Sequence, residues 1–162
     1  MQYGCIGEHL SHSFSKEIHA ALADYDYILK EIPQDALCDF MTAHDFRGIN
    51  VTIPYKQAVI PFLAEIQDAA KAIGAVNTLV NRDGRLCGYN TDFGGMEALI
   101  HRSGIVMRGA KVLVLGTGGT SKTATAVAAH MGAAAVYTVS RSGKNGALTY
   151  EQALSAHADA DV

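Results

Sequence analysis

One stretch constrains this chain more than any other. Residues 111–115 read KVLVL, and GTGGTSKT follows directly at 116–123. A short unbroken apolar run bounded by glycine suits a strand covered on both faces. The glycine turn at 116–119 ends the strand. Beyond it Ala124, Val127, Ala128 and Met131 recur at helical spacing, so 120–131 reads as a helix built from small residues. Strand, glycine turn and helix in this order present free backbone N–H groups at a helix N-terminus, an arrangement that suits phosphate.

Two phosphate-binding patterns fit the turn. The dinucleotide pattern G-x-G-x-x-G/A maps onto Gly116, Gly118 and Ser121, with Thr117, Gly119 and Thr120 completing the loop. Its first glycine makes the tight turn, its second lets backbone approach a diphosphate, and its third position must be small. A Walker A loop maps onto Gly116, Lys122 and Thr123, but Ser121 stands where that loop needs glycine, and no clear Walker B segment follows. The next strand, 133–139, bears on the choice. It runs into Ser140, Arg141 and Ser142, with Lys144 close by and no acid. In the dinucleotide reading an acid at this strand end takes a ribose 2′-hydroxyl and an arginine takes a 2′-phosphate. Arg141 therefore points to NADP(H).

Upstream, short strands alternate with amphipathic segments, which makes the chain α/β. Strands are expected at 2–6, 27–32 and 48–53. Phe14, Ile18, Ala21, Leu22 and Tyr25 place a helix over 14–24, and Leu37, Phe40 and Met41 face inward from another over 34–43. Pro54 stops the third strand and can open a short helix. A helix over 65–73 closes at Gly74. Strands at 75–81 and 85–89 flank Asp83-Gly84, a hairpin signal. Asp92 is placed as the N-cap of a helix carrying Phe93, Met96, Leu99 and Ile100. Downstream of the second strand, 148–156 reads as a helix and 159–162 as the entry to another strand. The expected division is 1–101 and 102–162.

Composition narrows the function classes. With 49% hydrophobic and 18% charged residues, the 162-residue chain is of globular type. Thirteen basic against sixteen acidic residues leave a net −3 and no basic face for nucleic acid. The charge is split: residues 1–100 hold 7 basic and 13 acidic side chains, residues 101–162 hold 6 and 3. The cationic excess accompanies the glycine turn and suits an anionic ligand. No apolar run approaches the roughly 18 residues of a membrane span, and the first residues lack the pattern of a signal peptide. Cys5, Cys38 and Cys87 lack metal-ligand spacing, as do His9, His12 and His19. Free thiols in a reducing cytoplasm and no metal site are the expectation.

Three polar clusters in the first half suggest a pocket. Ser13 and Ser15 flank Phe14 at a helix start, where hydroxyls and N–H groups could hold a carboxylate or one serine could simply cap. Asn50 and Thr52 are alternate residues of one strand, with Lys56 shortly after Pro54. A lysine partly withdrawn from water can act as general acid or base. Asn77 and the run Asn90-Thr91-Asp92 form the third cluster.

Taken in order, HSFS (12–15), NVTIPYK (50–56), GAVNT (74–78), GYNTD (88–92), GTGGTSK (116–122) and SRS (140–142) resemble the shikimate dehydrogenase family over most of the chain. The resemblance implies an N-terminal α/β substrate-binding domain followed by the first half of a Rossmann-type NADP-binding domain. It also implies NADPH-dependent, reversible reduction of 3-dehydroshikimate to shikimate, a step of chorismate and aromatic amino-acid biosynthesis, in a cytoplasmic monomer or homodimer. By the same resemblance Ser13 and Ser15 hold the substrate carboxylate, and Thr52 and Asn77 hold ring hydroxyls. Lys56 is the catalytic lysine, and Asp92 is the acid that pairs with it and binds a hydroxyl. Residues 116–120 cradle the diphosphate, and Ser140, Arg141 and Ser142 meet the 2′-phosphate. Asp68 falls near a position sometimes assigned to the cofactor.

The chain departs from the family in three places. His9 and Lys16 stand where prolines are usual, and Lys122 replaces an arginine. The nicotinamide-side half and a closing helix that supplies a glutamine are missing. The expectation is a piece of a longer enzyme, or a binding module without turnover. A quinate-using variant and a P-loop phosphotransferase are the other readings.

Overall fold

The computed structural model describes all of Met1–Val162, in two compact units, Met1–Asn90 and Thr91–Val162. The expected division at residue 101 lies further along, near the end of the helix that opens the second unit.

The first unit is built on one mixed sheet of six strands in the order β2-β1-β3-β5-β6-β4. Strands β1 (Tyr3–Gly7), β2 (Tyr27–Glu31) and β3 (Gly48–Val51) run parallel. Strands β5 (Thr78–Arg82) and β6 (Arg85–Tyr89) form an antiparallel hairpin against β3. Asp83 and Gly84 both have positive φ, 52° and 86°, as a two-residue turn matched to strand twist requires.

Strand parity sorts the sheet's two faces. Ile6, Ile49, Val51, Leu79 and Leu86 face the main core, where Leu37 and Met41 of α2 (Leu37–Ala43) and Ala70 of α3 (Asp68–Ile73) meet them. The opposite face holds Cys5, Leu10 and Tyr27 in a smaller cluster. Helix α1 (Ser15–Leu22) lies on this second face, with the His19 ring stacked on Tyr27 at 3.8 Å.

Four local expectations change. Helix α1 forms, yet it buries none of its side chains, and Phe14 and Leu22 are each 74% exposed. The side it turns to the sheet is that of Ser15 and His19, not the apolar stripe. Residues 53–59 make turns rather than a helix after Pro54, and the Ile53–Pro54 peptide is cis. Glu65–Ile66 is not helical: it forms β4, paired in parallel with Cys87 and Gly88. The open backbone edge of β6 overrides local helical preference there. Thr91, not Asp92, holds the N-cap position of α4 (Asp92–Ser103), and Asp92 is its first helical residue.

In the second unit β7 (Lys111–Leu115) and β8 (Ala135–Val139) are parallel, joined by α5 (Gly119–His130). Met107, Ala110, Val112 and Ala128 form its core, with Ile100, Val114, Met131 and Val136 packed around it. Helix α6 (Tyr150–Ala156) starts with a reciprocal cap between Thr149 and Gln152. Leu148 bridges to Val139 on the far side of β8. On the other side of β7, Leu113 N–H donates to the Val162 carbonyl at 2.8 Å and Val162 N–H donates to that of Lys111 at 3.3 Å. The chain end thus enters a strand position, as its sequence suggests. Open α/β sheets bind ligands at the C-terminal ends of their strands, and β7 ends there in the glycine turn.

Candidate active site

In the first unit the polar residues are placed by the same parity that builds the core. Ile49 and Val51 point one way from β3, so Asn50 and Thr52 point the other. Register sets Asn50 beside Cys5 on one side and Thr78 on the other. Tyr27 shares that face through the pairing of Tyr3 with Tyr27.

A continuous set of hydrogen bonds results. The Tyr27 hydroxyl donates to Asn50 Oδ1 at 2.6 Å, and Asn50 Nδ2 donates to Thr78 Oγ1 at 3.2 Å. Thr78 Oγ1 donates to Asn77 Oδ1 at 3.0 Å. Ser15 lies near enough to Tyr27 to act on its phenol, and Ser13 Oγ donates to Ser15 Oγ at 3.1 Å. Neither serine is the N-cap of α1, a position that falls to Phe14 with no side-chain cap. Ser13 Oγ still accepts from the backbone N–H of Ser15, the first residue of the helix, at 3.3 Å.

Lys56 and Thr52 are fixed by backbone. Val76 N–H donates to the Lys56 carbonyl at 2.8 Å, and Val51 N–H to that of Asn77 at 2.8 Å, so Lys56 is strapped beside the Asn77 segment. Lys56 is half-buried, and its charge acts on the Cys5 thiol. Burial pushes that thiol's ionisation up, and Lys56 draws it part of the way back. Burial also raises the Tyr27 phenol far above its ordinary range, with neighbouring Cys5 adding to the effect, so the phenol stays protonated at neutral pH. Thr52 closes over Gly7: a Cβ on Gly7 would stand 2.7 Å from Thr52 Cγ2. The first unit thus holds Ser13 against Ser15, ties Asn77 to Asn50 through Thr78, straps Lys56 beside Asn77 and packs Thr52 over Gly7. Asp68 is exposed at the start of α3.

In the second unit the glycine turn lies at the C-terminal end of β7. Gly116 has φ 118°, outside the reach of an ordinary side chain, and its N–H donates to the Val139 carbonyl at 2.7 Å. Gly118 is the N-cap of α5, and a Cβ on Gly116 or Gly118 would meet nothing within 4 Å. Helix start, open space and adaptable backbone fit a diphosphate. The pairing of Leu115 with Val139 puts Ser140 and Arg141 at the neighbouring strand end. Ser140 Oγ accepts from Gly143 N–H at 3.1 Å and shapes the loop, while Arg141 and Ser142 are exposed. These residues fit an adenosine 2′-phosphate. The P-loop reading loses a part: Thr123 is 1% exposed and belongs to the interior. Asp92 is half-buried at the first turn of α4.

Tyr27 and Thr78 were not among the residues singled out from sequence. Thr78 could have been found by parity, opposite Asn50, but Tyr27 enters only through the β1–β2 register.

A family model described as the shikimate dehydrogenase substrate binding domain matches residues 5–79. Shikimate dehydrogenase (NADP(+)) of Halothermothrix orenii is 41% identical over 153 residues, covering 89% of this chain and 53% of that protein. The chain thus spans about half the length of the curated relatives it matches. The crystal structure of shikimate dehydrogenase 1 from Peptoclostridium difficile superposes with a TM-score of 0.84 at 33% identity, over 94% of this chain and 60% of that one. The Thermus thermophilus shikimate 5-dehydrogenase, solved with NADP(H) and shikimate, gives 0.79 at 29% identity over 89% and 57%.

Proposed function

Because the chain belongs to the shikimate dehydrogenase family, we propose that its first unit binds shikimate and 3-dehydroshikimate. Its second unit binds the phosphates of NADP(H), and the two together serve the reversible NADPH-dependent reduction of 3-dehydroshikimate. The observation that carries this reading is the polar sheet face that joins Tyr27, Asn50, Thr78 and Asn77 by hydrogen bonds, with the bonded pair Ser13 and Ser15 near Tyr27 and Lys56 strapped alongside.

Each residue has a physical task. The Ser13 and Ser15 hydroxyls donate to the substrate carboxylate, and Asn77 and Thr52 hold ring hydroxyls. NADPH, when bound, supplies the hydride. Lys56, as general acid, gives a proton to the oxygen that becomes the new hydroxyl. Asp92, at the first turn of α4, is the carboxylate that takes a substrate hydroxyl. Backbone N–H groups of residues 116–120 hold the diphosphate, and Arg141, with Ser140 and Ser142, selects the 2′-phosphate. No helix is long and apolar enough to cross a membrane. All three cysteines are unpaired, which supports a reducing, cytoplasmic setting.

Lys56→Ala tests the reading. NADPH consumption with 3-dehydroshikimate should fall about 10²–10⁴-fold, the usual contribution of a positioned general acid. Shikimate affinity by calorimetry should change far less. Turnover close to that of the unsubstituted protein would refute the role of Lys56. The half-length match favours a second reading, ligand binding without turnover, in which shikimate and NADP⁺ bind yet no NADPH is consumed. Quinate, NAD⁺ and ATP in the same titrations complete the test: ATP binding in the absence of both shikimate and NADP⁺ binding would refute both readings.

A further inference from the structure

We propose that Tyr27 is a positioning residue: it roots a one-way chain of hydrogen bonds through Asn50 and Thr78 that fixes which end of the Asn77 amide a ligand meets. The inference rests on the reading above, in which Asn77 contacts the substrate, and adds to it a residue that touches no substrate.

An asparagine amide can be turned either way, so its direction must come from its partners. Here two distances set it. The Tyr27–Asn50 contact, 2.6 Å, is short for N–H···O but ordinary for O–H···O. The phenol therefore donates, and the Asn50 carbonyl is the group facing it. The Asn50–Thr78 contact, 3.2 Å, is long for O–H···O but acceptable for N–H···O. Asn50 Nδ2 therefore donates to Thr78, as its first bond requires. The single hydrogen on Thr78 Oγ1 then goes to Asn77 Oδ1 at 3.0 Å. With its carbonyl engaged, Asn77 presents its Nδ2 hydrogens to its other partners, a bound ligand among them. That end suits an oxygen that accepts, such as a ketone or a hydroxyl lone pair, and disfavours a group that can only donate.

The root of the chain is built to hold its orientation. Tyr27 is 6% exposed, and the His19 ring covers it in a stack tilted by only 12°. Ser15 lies near the same phenol and acts on it, so the serine pair stands beside the root of the chain. Loss of the phenol hydroxyl would leave the Asn50 carbonyl without its donor and free both amides to turn.

The experiment compares Tyr27→Phe, Thr78→Val and Thr78→Ser in the full chain. Tyr27→Phe keeps the ring and its stack, Thr78→Val cuts the chain below Asn50, and Thr78→Ser retains the hydroxyl. The readouts are the side-chain amide signals of Asn50 and Asn77 in nitrogen-15 NMR spectra, and shikimate affinity by calorimetry. Tyr27→Phe and Thr78→Val should both shift the Asn77 signals and weaken shikimate binding about tenfold, the size of one buried hydrogen bond. Thr78→Ser should do neither. Unmoved Asn77 signals in Tyr27→Phe would overturn the proposal whether or not shikimate binds. Should the unsubstituted protein bind no shikimate, the functional reading fails while the amide signals still decide the chain. Should Tyr27→Phe not fold, the Thr78 pair decides: a shift with valine alone supports the chain, and equal effects of valine and serine refute it.

Discussion

Gly7→Ala is a one-methyl perturbation whose cost can be worked from the packing. Gly7 ends β1 and its φ lies outside the left-handed region, so alanine fits the backbone. The added Cβ would stand 2.7 Å from Thr52 Cγ2, 2.9 Å from Leu10 Cδ2 and 3.2 Å from the Ile53 carbonyl. Comfortable carbon–carbon contact is about 3.5–4.0 Å, so two side chains must give way. Leu10 is 5% exposed, and Thr52 is β-branched with few rotamers to use. Overpacking of this kind costs about 1–3 kcal/mol. The stiffer unfolded chain returns about 0.4–1 kcal/mol, which leaves a net loss of about 1–2 kcal/mol. For a unit the size of Met1–Asn90 that is a fall in Tm of about 4–16 °C. Thermal unfolding followed by circular dichroism measures it, with Gly95→Ala as the counterpart. Gly95 lies in α4 and a Cβ there meets nothing within 4 Å, so alanine should stabilise by about 0.5–1 kcal/mol. A Gly7→Ala protein that melts at or above the unsubstituted one would refute the close approach of Thr52 to β1. Shikimate affinity should also fall in Gly7→Ala, because the displaced residue belongs to the proposed site.

Other outcomes follow from the same structure. Arg141→Glu should weaken NADP⁺ binding about 10–100-fold, the range of one charge-assisted hydrogen bond, and leave NAD⁺ binding unchanged; calorimetry with both nucleotides checks it. Lys111 Nζ holds Asp159 Oδ2 at 2.6 Å and lowers that carboxyl below its ordinary 3.8. A carboxyl lowered on folding stabilises above its unfolded value and ceases to do so as pH falls through the folded one. The protection factor of the Leu113 amide, its exchange rate corrected for the intrinsic pH dependence of exchange, should therefore be flat above about pH 5 and fall below 3.8; a protection factor that does not change with pH would remove the ion pair from the account. Cys38 is exposed while Cys5 and Cys87 are buried, and burial holds the Cys5 thiol protonated. A thiol reagent should modify Cys38 first in the native protein and all three on unfolding, as mass spectrometry would show.

Much of the fold is written in local pattern. KVLVL forms a strand over the residues where its run of four apolar side chains lies, although only Val112 of them is fully buried and Leu115 is exposed. Asp83-Gly84 makes its turn because both positions accept positive φ. Elements whose partner lies far along the chain are less readable. Glu65–Ile66 is drawn into the sheet by the edge of β6, twenty-odd residues away. The apolar stripe of α1 sets its helical period but not the side it turns inward. Thr123 sits in a motif that could serve phosphate, and only its burial assigns it to the interior.

The candidate site divides along the same line. The residue types and their order along the chain, serines, lysine, asparagine, glycine turn and arginine, pointed to the family and through it to the chemistry proposed above, because that chemistry needs those functional groups. Order could not show that Tyr27 and Asn77 belong to one chain of hydrogen bonds. That was decided by the register of β1 with β2 and of β3 with β5, which sets Tyr27, Asn50 and Thr78 on one face. Register is a property of strands paired in space, held by backbone hydrogen bonds and by the core on the opposite face. A buried tyrosine between two exposed stretches looks like any other core residue until that pairing is known.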